Sequence, residues 1–125
     1  MIRPDAVCPT DLALKTRQGA LCEYTVVPAG NVVSRPDNVT PVQAAGISLT
    51  CMAAYHSLFN IAKLEEGQTV FINGGSTAVG AYAIQMAKSR GINVVATASG
   101  KNEEYVKKMG ADQVRFRNIS PVTWR

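Results

Sequence analysis

The sequence is poor in the residues that build metal sites and disulfide frameworks. Its 125 residues include three cysteines and one histidine, His56, and no two cysteines have C-x-x-C spacing. An odd and scattered set of cysteines argues against a disulfide framework and a structural zinc site, and a single histidine excludes a His-rich metal site. We therefore expect free thiols and no bound metal.

The sequence also lacks a strong charge bias and a long apolar run. The formal net charge is +4, and no basic stripe with interleaved aromatic residues appears, so nucleic acid is not an expected partner. The first twenty residues carry several charges, and no apolar run is long enough to span a bilayer. We expect no signal peptide, no membrane partner and a cytoplasmic location.

The length corresponds to about one domain. With 46% hydrophobic and 18% charged residues, the composition is typical of a globular protein. A chain of 125 residues is long enough to bury a core, but it is short for an enzyme with separate cofactor and substrate domains.

The first forty residues predict short strands only. Residues 1–18 have no clear period and are predicted to be irregular. The segments Leu21–Val27 and Asn31–Ser34 are rich in β-forming residues and predict two short antiparallel strands. Thr40, Pro41 and Gln43 then have the spacing of a capping box with proline at the first helical position, which predicts a helix from 41 to about 60.

A glycine-rich segment between a predicted strand and a predicted helix is the most informative feature. The apolar run Thr69–Ile72 predicts a strand buried inside a parallel sheet, and a helix is predicted from about 77 to 90, ended by Gly91. In such an arrangement small residues let the backbone approach a pyrophosphate, and the helix N-terminus offers unpaired N–H groups to its charge. The candidate cofactor-binding residues of this cradle are Gly74, Gly75, Ser76, Thr77, Ala78, Val79 and Gly80.

The glycine pattern meets only part of the dinucleotide-binding fingerprint. With Gly80 as the final glycine, which allows close packing of the helix, Thr77 stands where the glycine facing the pyrophosphate would be. Two effects of Thr77 are open: its Cβ would push the phosphate outward, or its hydroxyl would donate to it. A strand, turn and helix without any ligand is the alternative interpretation.

The segment after the cradle predicts the rest of a βαβαβ unit and the type of cofactor. A second parallel strand is predicted at 93–97, a helix at about 102–109 and a third strand at 113–116. The window Thr97–Lys101, where NAD-binding folds place an acid for the ribose, contains none. Ser99 can hydrogen-bond a 2′-phosphate and Lys101 can neutralise it, which favours NADPH over NADH. The alternative is that Lys101 is only a solvated surface residue.

Taken in order, these motifs resemble the medium-chain dehydrogenase/reductase superfamily, and within it the zinc-independent quinone reductases and enoyl reductases. The Gly-Gly-Ser-Thr-Ala-Val-Gly form resembles the fungal members. The resemblance covers about three quarters of the chain. The matching segments are 19–27, 53–56, 73–80, 83–88, 95–99 and 109–112.

The resemblance implies an α/β fold, with one βαβαβ mononucleotide-binding half of a Rossmann domain and its linking helix at 41–116. Residues 1–40 would hold the last strands of a GroES-like substrate domain, and 117–125 would be a tail. It also implies an oxidoreductase that transfers hydride from NADPH to a small-molecule quinone or enone, and a possible homo-oligomer. Because the substrate domain and the second mononucleotide half have no counterpart in the sequence, the chain is interpreted as a fragment. The alternative function is a catalytically inactive, truncated dinucleotide-binding or interaction module.

Several positions depart from the family pattern. Leu49 occupies the position that matches a ligand cysteine of zinc-dependent relatives, and Cys51 lies two residues away on another helix face. Ala53 replaces the family's threonine before Ala-Tyr-His. Tyr55 and His56 match the pattern, and packing against the cofactor domain is favoured over an acid–base role for them. No catalytic residue is therefore assigned.

Overall fold

The computed structural model of the protein describes residues 6–7, 23–24, 26 and 28–116. These residues fall into two compact units that meet in sequence between Met52 and Ala53. The predicted tail at 117–125 lies outside the described residues. No helix in the described part of the chain is both long and apolar enough to cross a membrane.

The first unit contains one short antiparallel pair of strands. β1 (Ala6–Val7) pairs with β2 (Val33–Ser34), with Ala6 opposite Ser34. The prediction that residues 1–18 are irregular is therefore wrong at β1. A two-residue strand whose partners lie 28 and 26 positions away leaves no periodic signal in the sequence, because its pairing is set by a distant segment.

The other predicted strands of this unit are shorter than expected or absent where the structure describes them. The prediction Asn31–Ser34 is confirmed only at β2, because Asn31 ends a 3-10 turn, Ala29–Asn31, in which the Val32 N–H donates to the Ala29 oxygen. Most of the predicted strand Leu21–Val27 lies outside the described residues. Its described positions, 23, 24 and 26, are not in a strand, so the prediction is wrong there.

The predicted helix 41–60 begins as expected but is divided into three segments. α1 (Pro41–Ala45) has the full capping box: the Gln43 N–H donates to the Thr40 hydroxyl, and the Thr40 N–H donates to the Gln43 side-chain oxygen. α1 ends at Gly46, where glycine's low helix propensity favours a break, and α2 (Ser48–Tyr55) follows.

The last part of the predicted helix, His56–Ile61, is a π-helical segment. The Ser57 hydroxyl donates to the Ala53 oxygen, four residues back, and the Ala62 N–H donates to the Ser57 oxygen, five residues back. A serine that bonds back to the helix in this way competes with the backbone ladder, and one extra residue is accommodated in the turn.

The second unit is a βαβαβ unit built on a parallel sheet. Its strands are β3 (Thr69–Ile72), β4 (Asn93–Ala98) and β5 (Gln113–Phe116), in the order β3-β4-β5. α3 (Ala78–Ser89) joins β3 to β4, and α4 (Glu103–Lys108), preceded by the 3-10 turn Gly100–Asn102, joins β4 to β5. The predicted α/β fold and all three predicted strands are confirmed.

The core of this unit lies between one face of the sheet and its helices. Every second residue of β4, namely Val94, Ala96 and Ala98, is buried, because alternate side chains of a strand point to the same face. Ile84 of α3 and Val106 of α4 are fully buried in the same cluster.

The opposite face of the sheet is more open than the sequence predicts. Phe71 of β3 is 63% exposed, while its neighbour Ile72 is buried. The prediction that β3 is buried on both faces is therefore wrong, since among the described residues the helices cover one face of the sheet.

Asp112, the residue before β5, forms hydrogen bonds to β4 and an ion pair with α3. Its N–H donates to the Val94 oxygen over 2.9 Å, and its carboxylate accepts from the Val94 N–H over 2.7 Å. The Lys88 ammonium of α3 lies 2.8 Å from the same carboxylate. The hydrogen bond from Lys88, followed by that from Val94, holds the pKa of the Asp112 carboxyl below its usual range.

This lowered pKa predicts how stability depends on pH. A carboxylate whose pKa is lower in the folded than in the unfolded state stabilises the fold above the unfolded value, about 3.9, and this stabilisation is lost as the pH falls through the folded value. We expect Asp112→Asn to lower the free energy of unfolding at neutral pH, and the difference from the native chain to shrink in acid. Urea unfolding from pH 7 downward measures it.

Glu104→Gln, which removes an exposed carboxylate of α4, is the matched control and should not follow that profile. A difference between native and Asp112→Asn chains that stays constant with pH would contradict the role of this carboxylate.

Candidate functional site

The glycine-rich segment forms a tight turn at the carboxyl end of β3. Gly74 has φ +80°, a backbone conformation that favours glycine, and the Thr77 N–H donates to the Gly74 oxygen over 3.0 Å. The turn therefore reverses the chain within a few residues and delivers it directly to α3.

Gly75 and Gly80 allow close packing at this turn, the first against the core and the second between α3 and the turn. A Cβ on Gly75 would lie 2.9 Å from the Ala96 Cβ, so only glycine lets the turn settle onto the core. A Cβ on Gly80 would lie 2.3 Å from the Gly74 oxygen and 2.9 Å from the Gly75 Cα. The predicted close packing at Gly80 is confirmed, and the surface that it approaches is the backbone of the turn.

Thr77 caps α3 with its side chain. Its hydroxyl accepts a hydrogen bond from the Gly80 N–H over 3.1 Å and donates to the Gly74 oxygen over 2.8 Å. The single hydroxyl proton is thus used inside the turn. Of the two effects predicted for Thr77, donation to a phosphate would require this internal bond to break.

Three N–H groups at the start of α3 point to no acceptor among the described residues. Gly74 and Gly75 donate to the hydroxyl and the backbone oxygen of Thr97, and Thr77, Gly80 and Ala81 donate within the turn. α3 has twelve residues, so the partial positive charge of its dipole adds to the unpaired donors at this end. The N–H groups without an acceptor among the described residues are those of Ser76, Ala78 and Val79. This arrangement of donors can bind an anion.

The turn after β4 holds the other two predicted site residues. Ser99 precedes the 3-10 turn, its backbone oxygen accepts from the Asn102 N–H over 2.9 Å, and both Ser99 and Lys101 are exposed. No described carboxylate pairs with Lys101, whereas Glu103 pairs with Lys107 over 2.7 Å. A free cation and a hydroxyl therefore follow β4, at the same edge of the parallel sheet as the glycine turn.

Tyr55 lies in an aromatic cluster. Its ring contacts Phe59 edge to face, with ring centroids 5.1 Å apart, and the Arg90 guanidinium lies 3.9 Å from the Phe59 centroid and 5.8 Å from that of Tyr55. Cation–π and aromatic contacts of this kind stabilise the end of α2 against the end of α3. The geometry supports a packing role for Tyr55. His56 is exposed at the start of the π-helical segment.

Thr97 and Asn73 are part of the site, and the glycine pattern alone does not identify them. The Thr97 hydroxyl accepts from the Gly74 N–H over 2.8 Å and donates to the Asn73 side-chain oxygen over 2.7 Å. The register of the sheet is the signal that could have found the pair: Ile72 lies opposite Ala96, so the next residues along both strands are Asn73 and Thr97.

A groove of about 340 Å³ opens beside the turn. Thr77 and Gly80 form its border with the cradle, and Asn73 contributes a polar group. The remaining wall is mainly apolar and comes from residues between 54 and 64, from β3 and from α3. Among its residues are Leu58, Leu64, Val70, Ile72, Val79 and Ala83.

The chain is similar to dinucleotide-dependent reductases in sequence and in structure. No protein-family model matches it. It is 34% identical over 96 residues to the trans-enoyl reductase pgmF of Aspergillus terreus, a match that covers 77% of this chain and 27% of the relative. It is 34% identical over 101 residues to a chloroplastic quinone-oxidoreductase homolog of Spinacia oleracea, covering 77% of this chain and 31% of the relative.

A solved structure shows that the similarity to known reductases includes the fold. A mycobacterial protein solved in complex with NADPH has 28% identity and a TM-score of 0.69, over 75% of this chain and 29% of that one. These homologues and structural neighbours belong to the medium-chain dehydrogenase/reductase superfamily, and the chain matches only part of each. The resemblance inferred from the sequence motifs is thereby confirmed, and the parallel unit is of the Rossmann type found in this superfamily. The chain spans 27% and 31% of the length of the two curated relatives.

The approach of α3 to the turn can be tested at Gly80. The three nearest atoms that a Cβ would meet all belong to the backbone, so the helix must move. We expect Gly80→Ala to lower the free energy of unfolding by about 1–3 kcal/mol, the usual cost of overpacking. Urea denaturation measures it.

Gly100→Ala is the matched control, because a Cβ there would meet only the Phe116 ring at 3.8 Å, an ordinary contact. Equal stability of the two alanine variants would contradict the close packing at Gly80.

Proposed function

We propose that this chain holds the adenosine and pyrophosphate half of NADPH in an oxidoreductase that reduces a quinone or an activated carbon–carbon double bond. The observation that carries the proposal is the set of three unpaired N–H groups, on Ser76, Ala78 and Val79, at the N-terminus of α3. It is supported by the NADPH-bound mycobacterial neighbour and by relatives named as an enoyl reductase and a quinone-oxidoreductase homolog.

The backbone supplies the pyrophosphate site. Amide donors and the dipole of α3 both favour negative charge, and neither needs a charged side chain. Gly75 and Gly80 keep the turn compact, so that the N–H groups lie at a surface with little side-chain bulk around them. These residues fit a pyrophosphate, and Thr77 serves the site by capping the helix that carries the donors.

Side chains supply the preference for the 2′-phosphate. The Ser99 hydroxyl can donate to a phosphate oxygen, and the Lys101 ammonium can neutralise its charge. No acid lies within Thr97–Lys101, and the Glu103 carboxylate is paired with Lys107. A ribose 2′-phosphate therefore meets a donor and a cation rather than a repelling carboxylate.

NADPH supplies the hydride when bound, and the residues of this chain bind and orient the cofactor. Positioning a hydride donor against its acceptor accounts for a large part of catalysis in such reactions. No described residue is assigned an acid–base role, and the groove bordered by Thr77 and Gly80 lies directly beside the cradle.

A second candidate function is binding of the dinucleotide by these 125 residues without turnover. It is supported by the cradle, which offers backbone donors to an anion, and by the absence of an assigned acid–base residue among the described residues. Incubating the purified chain with NADPH and a soluble quinone distinguishes the two, because oxidation of NADPH that depends on the quinone would exclude the binding module.

The cofactor preference predicts the effect of two substitutions. We expect the chain to bind NADPH more tightly than NADH, and Lys101→Ala to weaken NADPH about tenfold, equivalent to about 1.4 kcal/mol for one charge-assisted contact. Ser99→Ala should weaken NADPH by a smaller factor. Neither variant should change NADH affinity, because NADH lacks the 2′-phosphate. Isothermal titration, with thermal unfolding as a second readout, measures both ligands.

Lys108→Ala is the control, because it removes the same charge from the exposed last turn of α4. Equal losses from Lys101→Ala and Lys108→Ala would indicate a general charge effect. Absence of NADPH binding by the native chain would contradict the proposed function itself.

A further inference from the structure

We propose that Thr97 is the positioning residue of the anion cradle: its hydroxyl directs the Gly74 N–H toward β4 and thereby fixes which amides face the phosphates. This inference rests on the proposed function, and it concerns a residue that the glycine pattern does not include. Thr97 does not contact the ligand in this scheme, because it acts through the turn.

Both oxygen atoms of Thr97, that of the side chain and that of the backbone, accept hydrogen bonds from the turn. The side-chain oxygen accepts from the Gly74 N–H over 2.8 Å, and the backbone oxygen accepts from the Gly75 N–H over 2.8 Å. One residue of β4 therefore accepts from two consecutive amides, which holds the two peptide planes on either side of the Gly74 Cα against the strand.

Asn73 fixes the direction of the Thr97 hydroxyl. Its side-chain oxygen lies 2.7 Å from the Thr97 oxygen and accepts the hydroxyl proton. With its proton used in this bond, the hydroxyl offers a lone pair to the Gly74 N–H. The chain of bonds runs from the Gly74 N–H through Thr97 to Asn73, so the hydroxyl has a defined orientation before any ligand arrives.

The same bonds decide which N–H groups remain for a ligand. Gly74 has φ +80° and is free to adopt other conformations, so its peptide can rotate if it loses its acceptor. The Gly74 oxygen accepts from both the N–H and the hydroxyl of Thr77, and Thr77 caps α3. Rotation at Gly74 would therefore disturb the cap and move the donors of Ala78 and Val79.

Thr97 also joins the two parts of the proposed site. It lies two residues before Ser99 and four before Lys101, at the carboxyl end of β4. A single residue thus holds the pyrophosphate turn to the strand that leads into the 2′-phosphate site. The distance between the two phosphate sites depends on these hydrogen bonds.

Two substitutions at Thr97 test the hydroxyl on the complete 125-residue chain. Thr97→Val keeps the shape and the β-branch but removes the hydroxyl, and Thr97→Ser keeps the hydroxyl. We expect Thr97→Val to weaken NADPH binding about tenfold, and Thr97→Ser to stay within about threefold of the native chain, since one hydrogen bond to the turn is lost in the first only. Isothermal titration with NADPH measures the affinities.

Amide hydrogen exchange by NMR on the ligand-free chains gives a readout at the proposed bond. The Gly74 amide should lose protection in Thr97→Val and keep it in Thr97→Ser, while amides of β4 that bond to β3 and β5 keep theirs. Thr69→Val is the matched control, because it makes the same chemical change at an exposed position at the start of β3. It should leave both NADPH affinity and Gly74 protection unchanged.

The outcomes separate this inference from the proposed function. Native-like NADPH affinity in Thr97→Val overturns the positioning role and leaves the cofactor site intact. Absence of NADPH binding by the native chain overturns the proposed function, and the role of Thr97 toward the ligand with it. If Thr97→Val does not fold, Asn73→Ala at its exposed position carries the test, and native-like affinity in that variant overturns the inference.

Discussion

The approach of α3 to the glycine turn is the constraint on which the rest of the parallel unit depends. The site at Gly80 leaves no room for a Cβ, because the Gly74 oxygen would lie 2.3 Å from it. This contact places the positive end of the helix dipole directly at the carboxyl end of β3. A helix that began even one ångström further away would still cover the sheet, but its N–H groups and the Thr77 cap would no longer form one surface.

The same constraint explains the composition of the core. A helix that starts so close to the sheet must remain close along its length. Its residues Ala83 and Ala87 are accordingly nearly or fully buried against the sheet. Larger residues are used where α4 and α3 converge over the centre of β4, at Ile84, Val94 and Val106. Ile84 and Val106 also lie against the turn, because a Cβ on Gly75 would be 3.1 Å from a side-chain carbon of each, so glycine in the turn and branched residues on the helices together satisfy packing density.

Local signals in the sequence predicted the elements whose boundaries depend on local chemistry. The capping box at Thr40, the strand before Gly74 and the helix end at Gly91 are such cases, and Gly91 has the positive φ that is common for a glycine after a helix. Features that depend on distant partners were not predictable: the pairing of β1 with β2, and the exposure of Phe71. The bond from Gly74 to Thr97 joins residues 23 positions apart, so only the register of the sheet could reveal it.

In the proposed site, backbone amides bind the pyrophosphate and side chains bind the 2′-phosphate, so the two parts affect cofactor preference differently. The pyrophosphate donors are backbone amides whose positions are set by the packing at Gly80 and by the hydrogen bonds of Thr97, so no single exposed side chain supplies them. The proposed 2′-phosphate contacts are two exposed side chains, Ser99 and Lys101, which support no other described element. Binding of a dinucleotide as such is thus coupled to the stability of the fold, whereas the choice between NADPH and NADH is separable from it. Substitution at 99 and 101 would therefore change cofactor preference with little effect on folding, while loss of the cradle would require a change in the turn, in its hydrogen bonds to Thr97 or in the packing at Gly80.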